Sequence, residues 1–134
     1  MNIKSAEEIV KNLVDKANKA QSFLENYNQD QVDKVITAVA WAICKPSNNK
    51  KMSNLAVEAT GLGNINDKII KNRRKTLGLL RDLKNIKTVG VINEDKKKGI
   101  IEIAKPVGVV AAVTPSTNPV ATPINNIINA LKGR

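Results

Sequence analysis

The sequence predicts an α/β protein with a helical amino-terminal region, a β-hairpin, and then one strand followed by one helix. Apolar residues recur at helical spacing as far as about residue 83. Two short β-branched segments, residues 88–92 and 100–104, flank a charged turn and predict the hairpin. Residues 107–113 are apolar on both faces, which is typical of a central parallel strand.

Four helices are predicted before the hairpin. Ser5 and Glu8 form a capping-box pattern at the start of the first. Pro46 ends the second, and Gly61 ends the third as a left-handed cap. The four helices are predicted at about residues 5 to 26 or 28, 30 to 45, 50 to 59, and 66 or 67 to 83. The inward positions of the third and fourth are predicted to be Met52, Leu55, Ala56, Ala59, Ile69, Ile70, Leu77, Leu80 and Leu83.

The chain ends in a predicted helix that stops at Gly133, with Ile124, Ile127, Ile128 and Leu131 facing inward. A buried parallel strand followed by a helix is the first half of a β-α-β unit. The sequence contains no partner strand for residues 107–113. We therefore expect an incomplete domain at this end of the chain.

Composition narrows the classes of function. The 134 residues carry a net charge of +10 but only 2% aromatic residues, and the basic residues are spread along the chain, so a nucleic-acid partner is not expected. No apolar run is long enough to span a membrane, and residues 1–8 lack the apolar core of a secretory signal. The single cysteine, Cys44, fits a cytoplasmic protein. Histidine is absent, and no metal site is expected.

Two features have a functional and a structural interpretation, and the structural one is favoured for both. Cys44 could be a nucleophile, but it lies on an apolar helix face without a histidine to activate it. Gly61 and Gly63 could open a dinucleotide loop, but they follow a helix instead of a strand. Termination of the third helix is the better interpretation.

One segment has side chains that could take part in a reaction: residues 114–119, TPSTNP. It follows the carboxyl end of the predicted strand. Ligands bind at that edge in open α/β sheets. Asn118 comes just before the last helix, and prolines at 115 and 119 stiffen the turn. Its amide could stabilise a developing oxyanion or could cap the helix, and spacing alone favours neither.

The residues of several segments resemble, in the same order, those of the CoA-acylating aldehyde dehydrogenases. This family includes succinate-semialdehyde and acetaldehyde enzymes and the amino-terminal half of bifunctional aldehyde-alcohol dehydrogenases. Residues 105–119, KPVGVVAAVTPSTNP, resemble the first strand of the family's nucleotide-binding domain and its following loop. Residues 29–34, 56–63, 67–72 and 87–92 are similar to earlier helices and to the hairpin.

The resemblance implies an amino-terminal fragment of the aldehyde dehydrogenase fold, with an incomplete Rossmann-like domain. Residues 1–85 would be the helical region, residues 86–105 an assembly or bridging hairpin, and residues 106–134 the start of the NAD(P)-binding domain. The implied reaction converts an aldehyde, CoA and NAD or NADP to an acyl-CoA and the reduced cofactor, through a cysteine. The full-length protein would be a homo-oligomer.

By the same resemblance, Asn118 matches the family's oxyanion-hole asparagine. Thr114, Pro115, Ser116 and Thr117 match the loop beside the nicotinamide. The family's nucleophilic cysteine would lie beyond residue 134, and Cys44 does not match it. The chain alone is therefore expected to be inactive. The alternative is a basic helical module for binding or assembly, without catalysis.

Overall fold

The computed structural model describes residues 5–134 and contains, over that range, five α-helices and one two-stranded sheet. The helices are α1 Ala6–Leu24, α2 Gln29–Cys44, α3 Pro46–Thr60, α4 Ile65–Leu83 and α5 Ala121–Gly133. The strands are β1 Gly90–Asp95 and β2 Ile100–Ala104. Residues 1–4, part of the segment in which the sequence predicts no secretory signal, lie outside the described range.

The predicted helix ends agree with the structure at the caps. The hydroxyl of Ser5 accepts a hydrogen bond from the Glu8 amide at 3.2 Å, and the Glu8 carboxylate accepts one from the Ser5 amide, so the capping box is confirmed. Gly61 ends α3 in the left-handed region with φ 65°, as predicted. The start of α3 was predicted four residues late. Pro46 occupies its first turn, where a missing amide hydrogen costs nothing.

The apolar core lies between α2, α4 and α5. Its buried centre consists of Ile36, Ala40, Ile124 and Ile128. The predicted inward positions Ile124 and Ile128 are confirmed, whereas Ile127 is exposed. This core fixes the position of α5 relative to the earlier helices.

The interface between α3 and α4 is polar, and the predicted inward positions are only partly confirmed: Ala56 is buried and Leu80 and Leu83 pack against the core, whereas four other positions are exposed. Leu55 is 60% exposed and Ile70 is 55% exposed, and Leu77 also faces outward. The buried side chains of these two helices include Asn49, Ser53, Ala56, Asn72 and Thr76. Polar side chains can occupy an interface when they satisfy one another's hydrogen bonds, which a periodicity of apolar residues does not reveal.

Helix α1 has the predicted apolar stripe, but no residue of this described helix is buried. Its exposed side chains include Ile9, Val10, Leu13 and Val14. Among the described residues, no helix combines the length and the apolar character needed to cross a membrane.

The hairpin is antiparallel, and β1 runs three residues further than predicted, to Asp95. The Asp95 carboxylate accepts hydrogen bonds from the Lys97 and Lys98 amides and so shapes the turn. The register shifts between Val91 and Asn93. Apolar side chains are exposed on the hairpin, including Val91 and Ile101.

The strand predicted at residues 107–113 is not formed within the described chain. The Val107 and Gly108 amides donate to the carbonyls of Gly133 and Arg134 at 3.1 and 3.0 Å, which anchors the start of the segment to the end of α5. Val113 is 95% exposed. A strand requires a partner backbone, and the sheet formed by residues 5–134 contains only β1 and β2. The apolar pattern alone therefore predicted a strand that is not formed among residues 5–134.

Candidate functional site

The predicted cofactor loop, residues 114–117, is exposed and leads into a turn before α5. The Asn118 amide donates to the Pro115 carbonyl at 3.3 Å, and the Asn118 carbonyl accepts from the Thr122 amide at 3.3 Å. Asn118 is therefore held by backbone hydrogen bonds on both sides. Thr114, Ser116 and Thr117 are exposed in this loop.

The Asn118 side chain does not cap α5, so the structural interpretation of this residue was wrong. The helix begins at Ala121, and its N-cap, Val120, has no side-chain capping bond. Asn118 Oδ1 instead accepts a hydrogen bond from Lys71 Nζ at 2.6 Å. Sequence spacing did not identify this contact, because Lys71 lies on α4, 47 positions earlier in the chain.

Lys71 also lines a cavity of about 490 Å³ along one face of α4, together with Asp67, Ile70, Arg74 and Lys75. Three cationic side chains and one carboxylate line this cavity. Positions 67, 71, 74 and 75 share one helix face because helical neighbours are three or four residues apart. That periodicity in the basic stretch of α4 is the signal that could have pointed to a cationic surface. Only the structure shows that one residue of this surface, Lys71, contacts Asn118.

Cys44 lies at the carboxyl end of α2 and is half-buried. Burial raises the pKa of the Cys44 thiol above its usual range, and the charge of Arg73 offsets part of that shift. A raised pKa lowers the thiolate fraction at neutral pH, and the thiolate is the reactive species. This environment is that of a structural cysteine.

The glycines after α3 terminate a helix, as the sequence favoured. Gly61 is the C-cap of α3, and Gly63 also has a positive φ of 72°. Asn64 then caps α4 by accepting a hydrogen bond from the Asp67 amide at 2.9 Å. The two glycines connect helix to helix, which is not the strand-to-helix context of a dinucleotide loop.

Comparisons with known proteins show that the chain is similar to part of several longer proteins. No model of a known protein family matches the chain. It is 57% identical over 128 residues to an acylating sulfoacetaldehyde dehydrogenase of Cupriavidus necator, covering 96% of this chain and 26% of the relative. It is 42% identical over 130 residues to an acetylating succinate-semialdehyde dehydrogenase of Clostridium kluyveri, covering 97% of this chain and 28% of that relative.

Among solved structures, an acetylating aldehyde dehydrogenase from Geobacillus thermoglucosidasius is similar, with a TM-score of 0.89 and 37% identity. The match covers 94% of this chain and 27% of that chain. The chain thus spans about a quarter of the length of these proteins and corresponds to their amino-terminal part. The match confirms the fold class that the sequence predicts.

Proposed function

The chain belongs to the same protein family as the acylating aldehyde dehydrogenases that it matches, and on that premise we propose that it forms part of an enzyme that oxidises an aldehyde to an acyl-CoA. The observation that supports a direct role for this region is the placement of Asn118. Its backbone is fixed on both sides, and its amide oxygen is occupied by Lys71.

Attack of a cysteine thiolate on an aldehyde converts the neutral carbonyl oxygen to an oxyanion. A pre-aimed amide donor stabilises that charge as it forms. We assign this role to the Asn118 side-chain nitrogen, since the oxygen of the same amide already accepts from Lys71. NAD or NADP would supply the hydride acceptor when bound. We assign Thr114, Pro115, Ser116 and Thr117 to the contact with its nicotinamide end.

The nucleophile itself is proposed to come from outside residues 1–134. Cys44 is half-buried on α2, and burial raises the pKa of its thiol, so it lacks the activation that such a nucleophile needs. CoA would then take the acyl group from the nucleophilic cysteine as a thioester.

The substrate that we propose is a small aldehyde with an acidic group, such as sulfoacetaldehyde. Lys71, which donates to Asn118, shares a cavity with Arg74 and Lys75, so the cation at Asn118 is part of a cationic surface of α4. A sulfonate or carboxylate is a good partner for a guanidinium or ammonium group. The name of the Cupriavidus necator relative also points to a sulfonated aldehyde.

A chimera tests this proposal, with the chain replacing the matching region of the Cupriavidus necator dehydrogenase. We expect CoA-dependent NADH formation with a higher kcat/KM for sulfoacetaldehyde than for acetaldehyde. Asn118→Ala should lower kcat by about a hundredfold or more. Its melting temperature should fall only slightly, because the side chain caps no helix and the substitution removes one partly buried hydrogen bond, from Lys71.

The matched control is Asn54→Ala on the exposed side of α3, which should leave kcat unchanged. A chimera that folds but oxidises no aldehyde would refute the assignment of activity. Normal kcat in Asn118→Ala, together with a lower melting temperature, would leave Asn118 with a structural role only.

A second proposed role, assembly, is favoured by the hairpin. Val91, Ile101 and Ile103 are exposed apolar side chains on one small sheet, and such a surface is typical of a contact between subunits. We propose that residues 86–105 contribute to a homo-oligomer. Ile101→Lys should shift sedimentation of the chimera toward smaller species, whereas an unchanged oligomer would exclude this contact.

A further inference from the structure

We propose that Lys71 is a positioning residue that fixes the orientation of the Asn118 side-chain amide. This inference rests on the proposed role of Asn118 as an oxyanion donor. The observation behind it is the 2.6 Å hydrogen bond from Lys71 Nζ to Asn118 Oδ1, which joins α4 to the turn before α5.

The chemistry of the two groups allows only one orientation. A lysine ammonium has three donors and no acceptor, whereas the asparagine amide has an acceptor oxygen and a donor nitrogen. Rotation of the amide by half a turn would bring its NH₂ group against the ammonium and leave both without an acceptor. Lys71 therefore holds Oδ1 toward itself, so that Nδ2, the donor atom of the amide, is not the atom that faces the ammonium.

Both ends of this contact are attached to well-anchored backbone. Lys71 lies in the second turn of α4, whose start is capped by Asn64 and which packs against α2, α3 and α5. Asn118 is held by its bonds to Pro115 and Thr122. None of the ion pairs formed among residues 5–134 includes Lys71, so no carboxylate competes for its ammonium at ion-pair distance.

Such an anchor matters because catalysis depends on the direction of the donor. A donor that must rotate into place at the moment of reaction loses the advantage of preorganisation. A misplacement of about 1 Å can reduce the rate by about a hundredfold. The ammonium also polarises the amide toward stronger N–H donation, since linked hydrogen bonds strengthen one another.

The first test measures kinetics in the chimera described above. Lys71→Met keeps an unbranched side chain, one atom shorter, but removes the donor, and should lower kcat by about ten- to a hundredfold with little change in KM. Lys71→Arg should retain part of the activity, because it restores a cationic donor. Lys51→Met, at an exposed position of α3, makes the same charge change away from the site and should leave kcat unchanged.

A double-mutant cycle separates positioning from a direct effect of the charge. If Lys71 acts through Asn118, then Lys71→Met should have no further effect on kcat in the Asn118→Ala background. Additive losses would overturn the inference while leaving the role of Asn118 intact. Normal kcat in Lys71→Met, with reduced kcat in Asn118→Ala, would overturn it as well.

A second test is independent of activity and uses the 134-residue chain. The side-chain amide resonances of Asn118 in ¹⁵N–¹H spectra should shift in Lys71→Met and stay in place in Lys51→Met. Unshifted resonances in Lys71→Met would overturn the inference, whatever kcat is measured in the chimera. A chimera without activity, combined with the shift, would instead contradict the proposed function and retain the contact.

Discussion

The polar interface between α3 and α4 gives a prediction whose size follows from individual contacts. Asn72 is 1% exposed, and its Nδ2 donates to Asn49 Oδ1 and to Ser53 Oγ, both at 3.1 Å. Asn49 in turn donates to the Ile69 carbonyl on α4 at 2.9 Å. Replacing Asn72 with alanine removes both donated bonds and leaves a small cavity.

The expected loss of stability combines these effects. Each lost hydrogen bond contributes about 1 kcal/mol net. The space left by the amide adds about another 1 kcal/mol. Asn49 Oδ1 retains one donor, the Ser53 hydroxyl at 3.3 Å, which limits the penalty for an unsatisfied acceptor. Asn72→Ala should therefore lower the free energy of unfolding by roughly 2–3 kcal/mol.

Urea unfolding followed by circular dichroism measures this change, and the m value should stay constant. Asn54→Ala, exposed on the same helix pair, should change the free energy of unfolding by less than about 0.5 kcal/mol. Asn72→Leu fills the space without restoring the donors and should also be destabilised. A leucine variant as stable as the native chain would show that packing, and not hydrogen bonding, holds α3 against α4.

Three further predictions concern the cysteine, the activity and an ion pair whose lysine is buried. The Cys44 thiol should react slowly with iodoacetamide at neutral pH and faster only above its usual pKa range, because burial favours the protonated form; rapid alkylation of the folded chain near pH 7 would contradict this. The chain alone should produce no NADH from acetaldehyde, NAD and CoA; a rate abolished by Cys44→Ala would reverse that expectation. Asp33→Ala should lower the free energy of unfolding by about 1–3 kcal/mol, since it strands the buried Lys132 ammonium that now lies 2.6 Å from Asp33. Lys98→Ala breaks an exposed ion pair with Asp95 and should lower the free energy of unfolding by less than about 1 kcal/mol. If urea titrations gave equal losses for Asp33→Ala and Lys98→Ala, the distinction between the two pairs would be refuted.

Local rules predicted local structure well. The capping box at Ser5, the left-handed Gly61 and the helical spacing of Ile124 and Ile128 each depend on residues a few positions apart. These local signals do not depend on the structure of the rest of the chain. The helix positions followed from such signals to within a few residues.

Predictions that required distant partners were less successful. An apolar segment at residues 107–113 indicates a strand only if another strand is beside it, and residues 5–134 provide none. The outward orientation of Leu55 and Ile70 depends on an asparagine and serine network between two helices. Sequence periodicity ranks apolar residues as buried, so it misses an interface stabilised by amides.

In the candidate site, too, the local feature was predicted and the distant contact was not, and the position of α5 explains why. Asn118 was identified from its local sequence, but its surroundings depend on both ends of that helix. Near the start of α5, the Thr122 amide donates a hydrogen bond to the Asn118 carbonyl. At the end of α5, the carbonyls of Gly133 and Arg134 accept hydrogen bonds from the segment that leads to residues 114–117. The packing of Ile128 against α2 therefore sets the position of the whole loop relative to α4. The Lys71–Asn118 contact is thus a consequence of the core, which is why a motif search finds the asparagine but not the lysine.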